Sequence, residues 1–98
     1  MEKLVPHSKL PAVKRLVLAG HVRPTSSAIA GAARLGLSFS DVVGVVLALT
    51  SQDFYKSMTT HGDHRIWQDV YRPATAAGLV YLKITVSSDV VIVSFKEL

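Results

Sequence analysis

The hydrophobic period of this chain changes near residue 50, and that change limits what it can fold into. Before it, apolar residues recur three and four apart, as in Leu10, Val13, Leu16 and Val17. From Asp53 onward they alternate, as in Val80, Leu82, Ile84 and Val86 of VYLKITV. The first pattern lays apolar groups along one face of a helix, the second along one face of a strand. A chain of 98 residues has room for one modest core and not for two. The helical stripe and the strand face therefore have to bury each other. The expected fold is α+β, an antiparallel sheet of about four or more strands with two to three helices on one face, in a single domain over 1–98.

Local signals place the elements. Lys14 and Arg15 lie off the first stripe and Gly20 stops it. Pro24 breaks the chain, and Thr25 or Ser26 then caps a second helix that should turn Ile29, Ala32 and Ala33 inward and end near Gly36. Ser38 to Asp41 offers a third cap, with an acid in the first turn. The apolar run behind it, DVVGVVLALT, is β-branched enough for a strand, but the cap and its length favour a helix. Val90 to Phe95 is apolar on both faces, as an interior strand would be.

Composition narrows the function. The chain is 49% hydrophobic and 18% charged, which excludes a disordered tail. Eleven Lys and Arg against seven Asp and Glu leave a net charge of +4, compatible with a polyanionic partner such as RNA or with simple solubility. Without cysteine there is no disulfide framework and no Cys-based zinc site. The prolines and mixed charges of MEKLVPHSKLP do not make a signal peptide, and the longest apolar run is half of what a bilayer requires. A soluble cytoplasmic protein with no membrane partner is expected.

Reactive side chains concentrate in DFYKSMTTHGDHRIWQDVYRP, residues 53 to 73. If 54 to 60 is a strand, Phe54, Lys56, Met58 and Thr60 share a face. If 64 to 72 is its neighbour, His64, Ile66, Gln68, Val70 and Arg72 share one face, Trp67, Asp69 and Tyr71 the other, and His61-Gly62-Asp63 makes the turn. Lys56, Gln68 and Arg72 then become cross-strand neighbours, with Tyr81 on the exposed face of the next strand.

That set suits RNA cleavage by the ribose 2′-hydroxyl, which needs one proton removed, another delivered and the phosphorane charge offset. Arg72 grips phosphate in a fork, Lys56 is a compact cation, Gln68 orients, and Lys56 or Tyr81 moves protons. Tyr55 and Met58 are candidates for stacking on unpaired bases. His64 is an alternative proton carrier beside the substrate. Solvated strand charges, a strand aromatic and a methionine core filler account for the same residues without function, and Trp67 is expected in the core. His61, Asp63 and His64 lack a further ligand, so no metal is expected; His7 and His21 read as surface residues.

The blocks DFYKSMTT, IWQDVYRP, VYLKITV and VIVSFKE, in this order and spacing, closely resemble the MqsR family, motility quorum-sensing regulator toxins of bacterial toxin–antitoxin pairs. The resemblance runs through the PH near the start and the VR..SA..A..LGL pattern of residues 22 to 37. It implies a RelE-like fold and a ribosome-independent mRNA interferase that cuts at GC-containing triplets with neither metal nor cofactor. It further implies catalytic roles for Lys56, Gln68 and Tyr81, and an RNA-binding surface at Tyr55, Met58 and Arg72. The implied partners are mRNA and a cognate antitoxin with a zinc-binding module and a helix-turn-helix region, through which alone DNA is reached. His61, Gly62, Arg65 and the alanine- and glycine-rich second helix depart from the pattern, which bears on sequence preference rather than on the chemistry. A noncatalytic nucleic-acid-binding regulator is the alternative that charge and strand-face cations would equally satisfy.

Overall fold

The computed structural model describes all 98 residues, as three helices and a sheet. Strand β1 (Glu2–Lys3) leads into helix α1 (Leu10–Leu18), β2 (Val22–Pro24), α2 (Ser26–Arg34) and α3 (Phe39–Leu47). A 3-10 turn at Ser51–Asp53 then opens the strand half: β3 (Phe54–Thr59), β4 (Trp67–Tyr71), β5 (Ala74–Thr75), β6 (Gly78–Val86) and β7 (Val90–Glu97). The sheet runs β1-β3-β4-β6-β7-β2, with β5 hairpinned onto β6. Every pair is antiparallel except β2 with β7. This is the α+β architecture that the change of period requires, consistent with a RelE-like fold, and no single helix is long and apolar enough to cross a membrane.

Each helix is nine residues long, too short to persist in water without packing. Their ends are marked as the sequence indicates. Gly20 takes a φ of 85° after α1, the Thr25 side chain accepts the Ala28 N–H, and Ser38 and Asp41 form a reciprocal capping box. Val13 and Val17, Ala28 and Ala32, and Val42 and Val46 then bury against Tyr71, Val80, Leu82, Ile84, Val90, Ile92 and Phe95 in one cluster. Burial of each large aliphatic group is worth roughly 1.5–3 kcal/mol, more than any cap supplies.

Helix α2 departs from expectation. Ile29 and Ala33 face solvent, and Ala28, Gly31 and Ala32 face inward. The cause is backbone proximity: a Cβ at Gly31 would collide with the Phe95 carbonyl oxygen of β7. Only the smallest residues fit that contact, so size and not hydrophobicity selects the buried face.

The hairpin differs in three details. Strand β4 begins at Trp67 instead of residue 64, because residues 60 to 66 form a wider turn, closed by Thr60 N–H to the Ile66 carbonyl and by Asp63 N–H to Thr60 Oγ1. A bulge between Phe54 and Lys56 adds Tyr55 to β3. Phe54 therefore opposes Tyr71 and packs edge-on against it on the helix side, away from Lys56. Trp67 is half-buried and outside the core cluster; His7 stacks on it at 5.5 Å and the Lys3 ammonium lies 4.1 Å from its ring centre.

These contacts belong to an N-terminal strap that the sequence does not announce. Strand β1 pairs Glu2 with Met58 and Lys3 with Ser57. Beyond it, the His7 and Ser8 N–H groups each donate at 3.0 Å to the carboxylate of Asp69, which is 3% exposed and also accepts Ser57 Oγ at 2.6 Å. A buried carboxylate with three donors is satisfied only while the strap is in place.

Candidate active site

Alternation along β3, β4 and β6 sends Tyr71, Leu82 and Ile84 into the core and their neighbours to the face without helices. Three cross-strand rows result. Glu2, Met58 and Gln68 form the first, and Lys56, Val70, Lys83 and Ser94 the second. One residue beyond the Tyr71–Leu82 pair, Arg72 comes alongside Tyr81, which opposes Lys96 to make the third. Successive rows lie about 7 Å apart along the strands, within reach of long side chains.

The bulge completes the third row. With Tyr55 as the extra residue, both it and Lys56 serve the open face. The Arg72 guanidinium carbon sits 3.8 Å from the centre of the Tyr55 ring, and Lys56 Nζ lies 5.4 Å from it. Tyr81 is ringed by cations in the same way, with Lys96 Nζ at 5.2 Å and Lys83 Nζ at 6.0 Å. Burial and the nearby Lys96 ammonium both lower the Lys83 pKa from the ordinary lysine range.

Lys56 is held differently. Its ammonium donates to Glu2 Oε2 at 2.7 Å, and this bond raises its pKa above the usual lysine range, with smaller favourable contributions from Tyr55 and Tyr81. Lys56 retains 22% side-chain exposure and Glu2 59%, so the pair lies at the surface, open to a competing anion.

Of the residues selected from sequence, Lys56, Gln68, Tyr81, Tyr55, Met58 and Arg72 therefore share one face. His64 lies in the turn at the edge of that face, where it lines a cleft of about 340 Å³ with Glu2, Met58, Thr59, Thr60 and His61. Asp63 is occupied by Arg65, whose side chain donates at 3.0 and 3.1 Å and holds the carboxylate below its usual range. No three His, Asp or Glu side chains converge as metal ligands.

Three residues join the site that the sequence reading did not select. Lys83 was legible, since it alternates with Tyr81 in VYLKITV. Lys96 needed the β6–β7 register, which a bulge between Lys83 and Ile84 shifts. Glu2 carries no local signal, because a two-residue strand shows no period.

Comparison with known proteins identifies the family. The family described as "Motility quorum-sensing regulator, toxin of MqsA" matches residues 5–97. The chain is 60% identical over 97 residues to the mRNA interferase toxin MqsR of Escherichia coli (strain K12), covering 99% of each sequence. The family match spans β2 to β7, and on the extent of both matches the chain belongs to the motility quorum-sensing regulator family, the toxins of MqsA.

Proposed function

We propose that this protein is the toxin of a toxin–antitoxin pair, an mRNA interferase that cleaves single-stranded mRNA on the open face of its sheet. The observation that carries the reading is the placement of Lys56 on β3, Gln68 on β4, Arg72 just past β4 and Tyr81 on β6 along one face of the sheet, together with Lys83 and Lys96. The 60% identical relative named an mRNA interferase toxin supports the same reaction.

The roles follow from chemistry. A phosphodiester carries one negative charge and gains a second as the 2′-oxygen adds to phosphorus. Arg72, stacked on Tyr55 and so limited in rotation, presents its fork to two phosphate oxygens. Lys56 supplies an ammonium for the developing charge or for the departing 5′-oxygen. Gln68 cannot titrate and orients the ribose hydroxyl by hydrogen bonding. Tyr81, between Lys83 and Lys96, is the second group available for proton transfer. Tyr55 and Met58 present flat and polarisable surfaces to unpaired bases.

In this reading the substrate is mRNA free of the ribosome, cut at GC-containing triplets in the cytoplasm without a metal. The silencing partner is an antitoxin with a zinc-binding module and a DNA-binding helix-turn-helix region. The decisive experiment incubates the protein with one defined transcript in EDTA and maps the ends. Discrete cuts with 2′,3′-cyclic or 3′-phosphate ends, lost in a folded Lys56→Ala variant, are the expected result. A Lys56→Ala variant that cleaves like the wild type, or one that loses only salt-dependent RNA affinity from a protein that never cleaves, refutes it.

A further inference from the structure

The roles above leave one requirement unmet. Lysine and tyrosine side chains ordinarily keep their protons at neutral pH, so neither Lys56 nor Tyr81 starts as a ready acceptor for the 2′-hydroxyl proton. A carboxylate side chain is such an acceptor, and the other six in this chain are either committed to partners or placed away from the site. Asp69 is buried beneath the strap, Asp41 and Asp53 close capping boxes, and Asp63 is held by Arg65. Asp89 lies near His21 and Arg23 at the far end of the sheet, and Glu97 pairs with the core residue Val80, which puts it on the helix side and not on the open face. Glu2 remains, beside Met58 in the first row and 2.7 Å from Lys56.

We propose that Glu2 is the general base of the cleavage and that it works with Lys56 as one acid–base pair; this rests on the ribonuclease reading above. The phosphodiester enters between the two side chains. As the O2′–P bond forms, the 2′-hydroxyl proton passes to the Glu2 carboxylate. As the P–O5′ bond breaks, the Lys56 ammonium gives its proton to the 5′-oxygen. The products are a 2′,3′-cyclic phosphate and a 5′-hydroxyl. The protonated Glu2 then returns its proton to the neutral Lys56 amine across the re-formed contact, so the pair resets and consumes no co-reactant.

The two steps assist each other. In the resting pair the Glu2 bond favours the charged form of Lys56. Once Glu2 has accepted a proton, that hold on the ammonium is gone and Lys56 becomes a stronger acid. The strap fixes the base at its post: Thr59 N–H bonds the Met1 carbonyl at 2.9 Å, and Asp69 anchors residues 7 and 8. Glu2 itself is exposed enough to swing aside for substrate.

The groups facing Glu2 are Lys56 from β3, the Met1 amino group, and His61 and His64 across the cleft. The acid limb is therefore assigned to Glu2 only if Glu2→Gln abolishes it. Wild type, Glu2→Gln, Glu2→Asp, His64→Ala and Lys56→Ala are compared in single-turnover cleavage of one oligoribonucleotide across the acid-to-neutral range. Glu2→Gln is expected to lower the maximal single-turnover rate about 100-fold or more, to change the half-saturating concentration less than about threefold, and to abolish the loss of rate on the acid side. Glu2→Asp and His64→Ala retain that acid limb, Glu2→Asp with partial rate. A Glu2→Gln rate within about threefold of wild type, or a reduced rate with the acid limb intact, overturns the proposal. If Lys56→Ala is inactive while Glu2→Gln is normal, only the base assignment fails; if Lys56→Ala is normal, the site itself is wrong.

Discussion

The guanidinium carbon of Arg72 lies 3.8 Å from the centre of the Tyr55 ring, and the two meet only because β3 carries an extra residue at that point. Lysine in place of Arg72 would keep the charge and lose both the planar stack and the fork. Arg72→Lys is expected to raise KM for RNA about fivefold, on the order of 1 kcal/mol, with kcat little changed. Steady-state cleavage of a short oligoribonucleotide measures both constants, and an unchanged KM removes Arg72 from the RNA surface.

The Asp69 carboxylate accepts three hydrogen bonds while 3% exposed. Bonds to a charged group are each worth about 1.5–3 kcal/mol, and truncation also leaves the Ser57 hydroxyl only its longer 3.4 Å bond to the Gln68 carbonyl. Asp69→Ala should destabilise by about 3 kcal/mol in urea melts and release the strap. Amide exchange at His7 and Ser8 is the local check, because core rearrangement without strap release would leave those amides protected.

Two glycines in helices should behave oppositely. Gly31→Ala drives a methyl into the Phe95 carbonyl and should cost about 2 kcal/mol or more. Gly44, in α3, has nothing within 4 Å of the added methyl, so Gly44→Ala should stabilise by about 0.5–1 kcal/mol through helix propensity. Thermal melts of the two variants, run together, test whether backbone proximity governs α2.

Tyr71 is fully buried and its hydroxyl has no hydrogen-bond partner. Burial, with a smaller effect from Asp69, pushes its pKa from 10.0 up to about 12. The folded state thus favours the neutral phenol. That stability is fully present below the unfolded pKa and is lost as pH rises through the folded value, between pH 10 and about 12. Unfolding free energy should fall by about 1 kcal/mol from pH 9 to 11 on account of this group. Tyr71→Phe should remove that part of the slope and be neutral or stabilising at pH 7, since it deletes an unsatisfied hydroxyl. A strongly destabilised Tyr71→Phe would show that the hydroxyl has a partner after all.

The sequence by itself determined the elements and their faces. Periods of 3.6 and 2 reflect local backbone geometry, so the caps at Thr25 and Ser38, the buried row Val80, Leu82 and Ile84, and the grouping of Lys56, Gln68, Arg72 and Tyr81 were legible without knowledge of any distant contact. Tertiary structure decided the rest. The inward face of α2 follows from how closely its backbone meets β7, which the period of α2 does not encode. The bulge that aligns Tyr55 with Lys56, and the parallel strand β2, depend on registers fixed between segments far apart in the chain. Glu2 is the clearest case: it lies 54 positions from Lys56, and pairing between strands of the sheet, not local preference, brings its carboxylate to the ammonium.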